Sequence, residues 1–192
     1  MEAISDAGVI SESLTRPAAF GTIFDRHATV VHRYLVRRLG PAEAEAFTGE
    51  VFRIAFERRD SFDPDRTGDG ARPWLYGIAT NLVSKHRRRE VRRVHAVARL
   101  AADRGATLDL ADDVSAEVDA AQRWRLVAEA LGRLPQAELD VLVLSAWEQL
   151  DDADIAASLG VPLGTVRSRR HRARRHLREL IEAIAINERT TR

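Results

Sequence analysis

A chain of 192 residues with a hydrophobic fraction of 45%, aromatics at only 6% and charged residues at 31% reads as globular and helical, with length for one domain or two small ones. It contains no cysteine, which excludes a disulfide framework and a thiolate metal site and fits a reducing compartment, the cytoplasm. Charged residues interrupt every apolar run before the ~18–20 residues of a membrane span, and the acid-bearing start MEAISDAGVISESLTR lacks the layout of a signal peptide. The net charge of +1 conceals a basic–acidic–basic order. KHRRREVRR (85–93) has six bases and one acid, 103–119 has six acids and one base, and a second basic run follows from residue 163.

In chain order, residues 1–16 read as a disordered leader. Residues 17–39 form the first long helix, with Thr15 near its start and Gly40 as its stop. Phe20, Ile23, Phe24, Val31, Tyr34 and Leu35 follow helical spacing and make a core stripe on which His27 lies, with no role assigned to it. Pro41 opens a second helix to about residue 59, with Phe47, Val51, Ile54 and Ala55 on one face. Phe52 and Phe56 point partly elsewhere, either to fill a second side of a bundle or to dock another protein.

The stretch DSFDPDRTGDGAR (60–72) has the composition of a loop, at a length often associated with function. Pro73 starts a third helix, PWLYGIATNLVSKHRRREVRR, with Leu75, Ile78, Ala79 and Leu82 as its expected buried face. Trp74 and Tyr76 lie at its beginning, Asn81 in its middle, and the basic run follows. Aromatic side chains beside a cationic track suit single-stranded nucleic acid, where bases stack while the backbone is neutralised. The bland alternative is a core tryptophan beside a solvated basic helix end.

Residues 95–116 lose periodicity, become rich in Ala and Asp, and read as a flexible acidic linker. Beyond it, Trp124, Val127, Ala128, Leu131 and Leu134 mark an amphipathic helix, and Pro135 opens another with Leu139, Leu142, Val143 and Ala146 inward. Asp151, Asp152 and Asp154 crowd the next helix start, where Asp151 can cap and the helix dipole favours acids.

The most telling stretch is DDADIAASLGVPLGTVRSRRHRARRHLR (151–178). A short helix with Ile155, Ala156 and Leu159 breaks at Gly160-Val161-Pro162, where glycine tolerates positive φ and proline presets the next first turn. Ala156 is small at the crossing, and Val161 and Val166 lock the pair: a helix-turn-helix. From 163 to 178 there are seven Arg, two His and no acid. At ~100° per residue the arginines surround most of the helix. A solvated surface helix would interleave acids at three- or four-residue spacing. Forked guanidinium donors instead suit phosphates and guanine edges in the major groove. No Ser/His/Asp cluster, paired-carboxylate site, metal-ligand spacing or phosphate-cradling Gly motif is apparent, so neither catalysis nor a cofactor is expected.

The order WLYGIATN, basic run, acidic linker, LxxLPQAELDVLVL and DIAASLGVPLGTVRSRRHRARRHL resembles the bacterial sigma factors of the extracytoplasmic-function (ECF) group. The likeness covers residues 18–94, similar to that family's region two, and 117–180, similar to its region four. It implies an all-α protein of two small helical domains, 17–94 and 117–185, with a tail at 186–192. It further implies a specificity subunit that binds core RNA polymerase, directs it to promoters and helps open the duplex. By likeness, Thr165, Arg167, Ser168, Arg170, Arg172 and Arg174 read the minus-thirty-five element. The 61–72 loop with Trp74, Asn81, Lys85, Arg88 and Arg89 matches the part that meets the minus-ten strand. Phe47, Glu50, Val51, Phe52 and Phe56 match the segment that docks on the clamp helices of the largest polymerase subunit. The family often has an anti-sigma partner, which would keep the chain in the cytoplasm or at the membrane. Two departures stand out. The signature D-x-x-Q-E-x-F is here Ala46-Phe47-Thr48-Gly49-Glu50-Val51-Phe52, where Gly49 costs the helix ~1 kcal/mol relative to Ala, and the usual Asp four residues after the Asn is Lys85. The competing class is a stand-alone helix-turn-helix transcriptional regulator.

Replacing Arg170 with Ala is expected to relax sequence choice and cost about 1–3 kcal/mol in duplex binding if it reads a base edge. Electrophoretic titration against matched and mismatched duplexes checks this, since an equal loss on every sequence would make it a phosphate contact.

Overall fold

The computed structural model describes residues 4–67, 70–102 and 120–190. Every element among them is helical: α1 (Asp6–Thr15), a 3-10 turn at Pro17–Phe20, α2 (Gly21–Leu39), α3 (Pro41–Glu57), a 3-10 turn at Arg59–Ser61 and α4 (Pro64–Thr67), followed by α5 (Arg72–Ala102), α6 (Ala120–Arg133), α7 (Gln136–Ala146), α8 (Asp152–Leu159) and α9 (Leu163–Thr190). The all-α expectation holds. Two compact units emerge, one from residues 1–85 with 143–167 and one from 86–142 with 168–192.

In the first unit, α2 and α3 meet at Gly40, whose φ of 86° favours glycine, and Pro41 then opens α3 without losing a helical hydrogen bond. Their stripes bury Ile23, Val31, Tyr34 and Leu35 against Ala44, Val51 and Ala55. Phe24, expected on that stripe, stays 45% exposed and packs edge-on against Phe52 with centroids 4.9 Å apart. Phe20 does the same with Phe56 at 5.5 Å. Phe52 therefore fills a second side of the bundle, while Phe56 leans on it and stays half-buried.

α5 buries Leu75 and Ala79 as expected, but its inward side is completed by Tyr76, Thr80 and Val83, with Ile78 and Leu82 half-buried. The reason is polar. The Tyr34 hydroxyl lies 2.8 Å from the Thr80 hydroxyl, and the Tyr34 and Tyr76 rings meet tilted by 59° with centroids 5.3 Å apart, so two hydroxylated side chains are satisfied inside and the stripe rotates toward them.

The expected disordered leader is corrected from residue 6 onward. α1 is capped by Ser5, whose hydroxyl accepts from the Gly8 amide, and buries Val9 and Ile10. Its anchor is Asp6, which accepts from Arg26 Nη1 at 2.9 Å, from the Ala71 amide at 2.9 Å, and pairs with His27 Nε2 at 2.6 Å. What reads as a solubilising acid in the sequence is a counter-ion. His27, placed on the core stripe, is buried because Asp6 is there to meet it. Burial alone pushes the Asp6 carboxyl up, but the Ala71 amide, Arg26 and His27 outweigh it and hold it below the usual carboxylate range.

Two other boundaries move. α5 runs to Ala102, so the expected linker is helical over 95–102, and its remainder to residue 116 lies outside the described residues. α9 runs to Thr190, through most of the expected tail. In the second unit Ala130, Leu134, Leu139, Val141, Ala173 and Ile184 are buried. Val127, Leu131 and Leu142 are half-buried, and the Trp124 side chain lies outside the described residues. Ala128, expected inward, is exposed while its neighbour Ala130 is buried; in the first unit Ala146, also expected inward, is exposed, a small loss for one methyl group.

Asp6→Asn keeps the shape and removes the charge, and is expected to cost about 2–3 kcal/mol at neutral pH. A carboxyl whose folded pKa is depressed stabilises fully above about pH 4 and loses that contribution as pH falls through the lowered value. Urea unfolding of both proteins should show a gap near neutrality that narrows in acid. An unchanging gap would place the effect elsewhere than in the Asp6 charge.

Candidate nucleic-acid interface

The helix-turn-helix forms where local chemistry directs it. Asp151 caps α8, its Oδ1 accepting from the Asp154 amide at 2.8 Å, in the extended conformation a cap requires. Gly160 ends α8 with φ 63° and ψ 36°, and the amide of Val161 returns to the Ala156 carbonyl at 3.1 Å. The Pro162 carbonyl then accepts from Thr165 and Val166, starting α9 at once, and Ile155 and Val166 are fully buried.

Along α9, Arg167, Ser168, Arg172 and Arg174 are exposed, while Thr165 and Arg170 are half-buried. Some arginines do meet acids of their own chain. In the first unit Arg167 Nε lies 3.3 Å from Asp152, and in the second Arg172 Nε lies 3.2 Å from Glu138, which also accepts from His176 Nδ1 at 2.7 Å. These pairs do not neutralise the helix, since the Arg167 and Arg172 side chains remain 65% and 47% exposed. Exposed ion pairs are worth about 0–1 kcal/mol, less than a phosphate offers in exchange.

The second cluster lies at the beginning of α5. Trp74 is half-buried and packs edge-on against Phe62 at 5.3 Å, while Asn81 and Lys85 are exposed. The loop before α5 folds into the short α4, where Asp63 Oδ1 accepts from the Asp65 amide, and is tied at its far end by the Asp6–Ala71 bond. Trp74, Asn81, Asp63 and Arg66 line a cavity of about 210 Å³ together with Ala157 and Ser158 of α8. Arg88 and Arg89, on the stretch of α5 in the second unit, are exposed. Within the first unit, spacings of seven and four residues put Trp74, Asn81 and Lys85 along one side of α5.

The third cluster, on α3, does not present all its expected side chains. Val51 is fully buried and Phe52 is 6% exposed, so both brace the bundle. Phe47, Glu50 and Phe56 are half-buried, with Glu50 pairing with Arg53 at 2.7 Å and the Arg59 guanidinium 4.1 Å above Phe56.

Sequence reasoning missed one polar centre. Glu148, in the connection between α7 and α8, is 3% exposed; its carboxylate accepts from Arg37 Nη1 at 3.0 Å and from the Tyr76 hydroxyl at 2.5 Å, and its carbonyl from Arg72 Nη2 at 3.3 Å. Burial, with the Glu148 bond adding to it, pushes the Tyr76 phenol up to about 12. The only hints were local: an acid between apolar Trp147 and Leu150, and Gly77 inside an otherwise helical stretch. That glycine is required, because a Cβ on it would stand 2.5 Å from the Ser158 carbonyl oxygen.

Comparison with known proteins bears on this geometry. The Sigma-70 region 2 family matches residues 23–93, and the Sigma-70, region 4 family matches residues 124–177. The ECF RNA polymerase sigma factor SigL of Mycobacterium tuberculosis is 32% identical over 190 residues, covering 97% of this chain and 99% of that protein. The ECF RNA polymerase sigma factor SigW of Bacillus subtilis is 32% identical over 167 residues, covering 84% and 88%. The structure of CnrH in complex with the cytosolic domain of CnrY is similar with a TM-score of 0.60 at 27% identity, covering 93% of this chain and 97% of that one. The sigma factor RpoE in complex with the anti-sigma factor NepR from Bartonella quintana shares the fold, with a TM-score of 0.59 at 22% identity over 85% and 96%. With both regions matched in order and relatives aligned end to end, the chain belongs to the ECF sigma factors of RNA polymerase.

Proposed function

We propose that this sigma factor docks on core RNA polymerase through α3, reads the minus-thirty-five duplex with α9, and captures melted minus-ten DNA along α5. The observation that carries the reading is the aromatic-walled cavity at Trp74 and Asn81, on the same helix as the exposed cations Lys85, Arg88 and Arg89. A single-stranded base needs a ring to stack on and its phosphates need cations, and a duplex reader alone needs neither. The division of labour follows the expected domains, 17–94 for polymerase and the opened strand and 117–185 for the duplex. Thr165, Arg167, Ser168, Arg170, Arg172 and Arg174 supply the duplex contacts. Phe47, Glu50 and Phe56 supply the docking contacts, with Val51 and Phe52 supporting them from inside.

The chain itself is non-catalytic and works in the cytoplasm, where the polymerase is. Among the described residues no helix is long and apolar enough to cross a membrane. CnrH, solved with the cytosolic domain of CnrY, supports an anti-sigma partner here as well.

Run-off transcription with purified core polymerase on genomic fragments, start sites mapped, tests the reading. New start sites and stoichiometric co-purification with core are expected, and a stand-alone regulator would give neither. Trp74→Ala should leave core binding intact and weaken open-complex formation by the ~1–3 kcal/mol that stacking one base provides.

A further inference from the structure

We propose that Glu138 is a positioning residue for promoter reading: from α7 it fixes the guanidinium of Arg172, and so sets which base pair that arginine can recognise. The inference rests on the reading that α9 lies along the minus-thirty-five duplex, and it adds a residue that need not touch DNA.

The cluster lies within the second compact unit. Glu138 stands in the first turn of α7, where the positive end of the helix dipole favours an acid. Its side chain is only 8% exposed, and the next residues along, Leu139 and Val141, are buried, so the carboxylate is anchored to the core. It gives one oxygen to each of two α9 side chains. Oε1 accepts from Arg172 Nε at 3.2 Å, and Oε2 accepts from His176 Nδ1 at 2.7 Å. Arg172 and His176 are four residues apart on one helix, about one turn, so both lean over the acid from the same side. His176 gives its hydrogen to Glu138 because its other nitrogen, Nε2, lies 3.4 Å from Arg175 Nη2, a group that only donates.

The exposures show which partner holds which. The acid is inside, whereas the Arg172 and His176 side chains stay 47% and 32% exposed. A pair so open to water adds little to stability, because solvent screens it. It does restrict geometry. A long arginine stem samples many rotamers, and ordering it at the moment of binding opposes association. With Glu138 in place, that ordering is done when the chain folds. The anchor engages Nε alone, so the Nη groups, which carry most of the guanidinium's donors, remain for a ligand. A fork fixed at Nε points those groups one way, as arginine needs to take O6 and N7 of a particular guanine.

The test uses holoenzyme reconstituted from core polymerase and the full chain, on a promoter found by start-site mapping. Run-off transcription is titrated on duplexes carrying every single base-pair change through the minus-thirty-five element. In the parent, one base pair should show a preference that Arg172→Ala removes. Glu138→Ala should cut that preference by at least about fivefold, the lower end of what an arginine reading a base provides, and leave the other positions alone. Glu138→Gln keeps the shape and an acceptor without the charge, guards against a folding defect in the alanine variant, and should fall between. In an Arg172→Ala background neither change should have any further effect, whereas a merely structural acid would add its own loss. An equal loss on every duplex, an equal gain on every duplex, a loss that survives in the Arg172→Ala background, or no change at all overturns the positioning role.

A second readout needs no DNA. With arginine side chains isotope-labelled for NMR, the Nε–H resonance of Arg172, assigned by its loss in Arg172→Lys, should be as rigid as the α9 backbone in the free chain. Glu138→Ala should make it mobile. A mobile resonance in the parent overturns the hold. A holoenzyme indifferent to every base pair of the element refutes the duplex reading instead, while this resonance still decides whether Glu138 fixes the guanidinium.

Discussion

A carboxylate withdrawn from water has to be met by donors, and the first compact unit is arranged around two such carboxylates. Glu148 enters between α2 and α5 and is matched by a guanidinium and a phenol. Asp6 enters beside α2 and is matched by Arg26, His27 and a backbone amide. Removing one member of such a set leaves the rest buried and uncompensated, so neighbouring elements are held to one geometry. The apolar stripes of α2, α3 and α5 supply the bulk of the burial, but they tolerate rotation, as the shift toward Tyr76 and Thr80 shows. The ionic contacts do not tolerate it.

The same constraint separates what the sequence disclosed from what it hid. The helix-turn-helix was legible because every instruction is local: Asp151 caps three residues on, Gly160 takes the left-handed turn, and Pro162 opens the next helix. The division of α2 from α3 at Gly40 was legible for the same reason. α1 was not, because Asp6 meets its partners 20, 21 and 65 residues away, and nothing near it distinguishes a counter-ion from a solvated acid. Glu148 was hidden by the same distance, with partners 72 and 111 residues back.

The candidate interface divides along this line too. Exposed cations on α9 and α5 followed directly from charge patterning, since a long basic side chain rarely goes inside. The α3 segment was harder. Val51 and Phe52 match the docking segment of the family signature, whereas the bundle needs both to fill the space beside Phe24 and the α2 stripe. A residue's place in a motif does not say whether it touches the partner or supports the residues that do.

Asp6 belongs to the first turn of the chain, yet its oxygen receives the amide of Ala71 at the mouth of α5. The shape of a loop in the middle of the sequence is thus set partly by a residue 65 positions earlier. A variant without α1 would keep every candidate interface residue, yet His27 and Ala71 would have lost the anion they share.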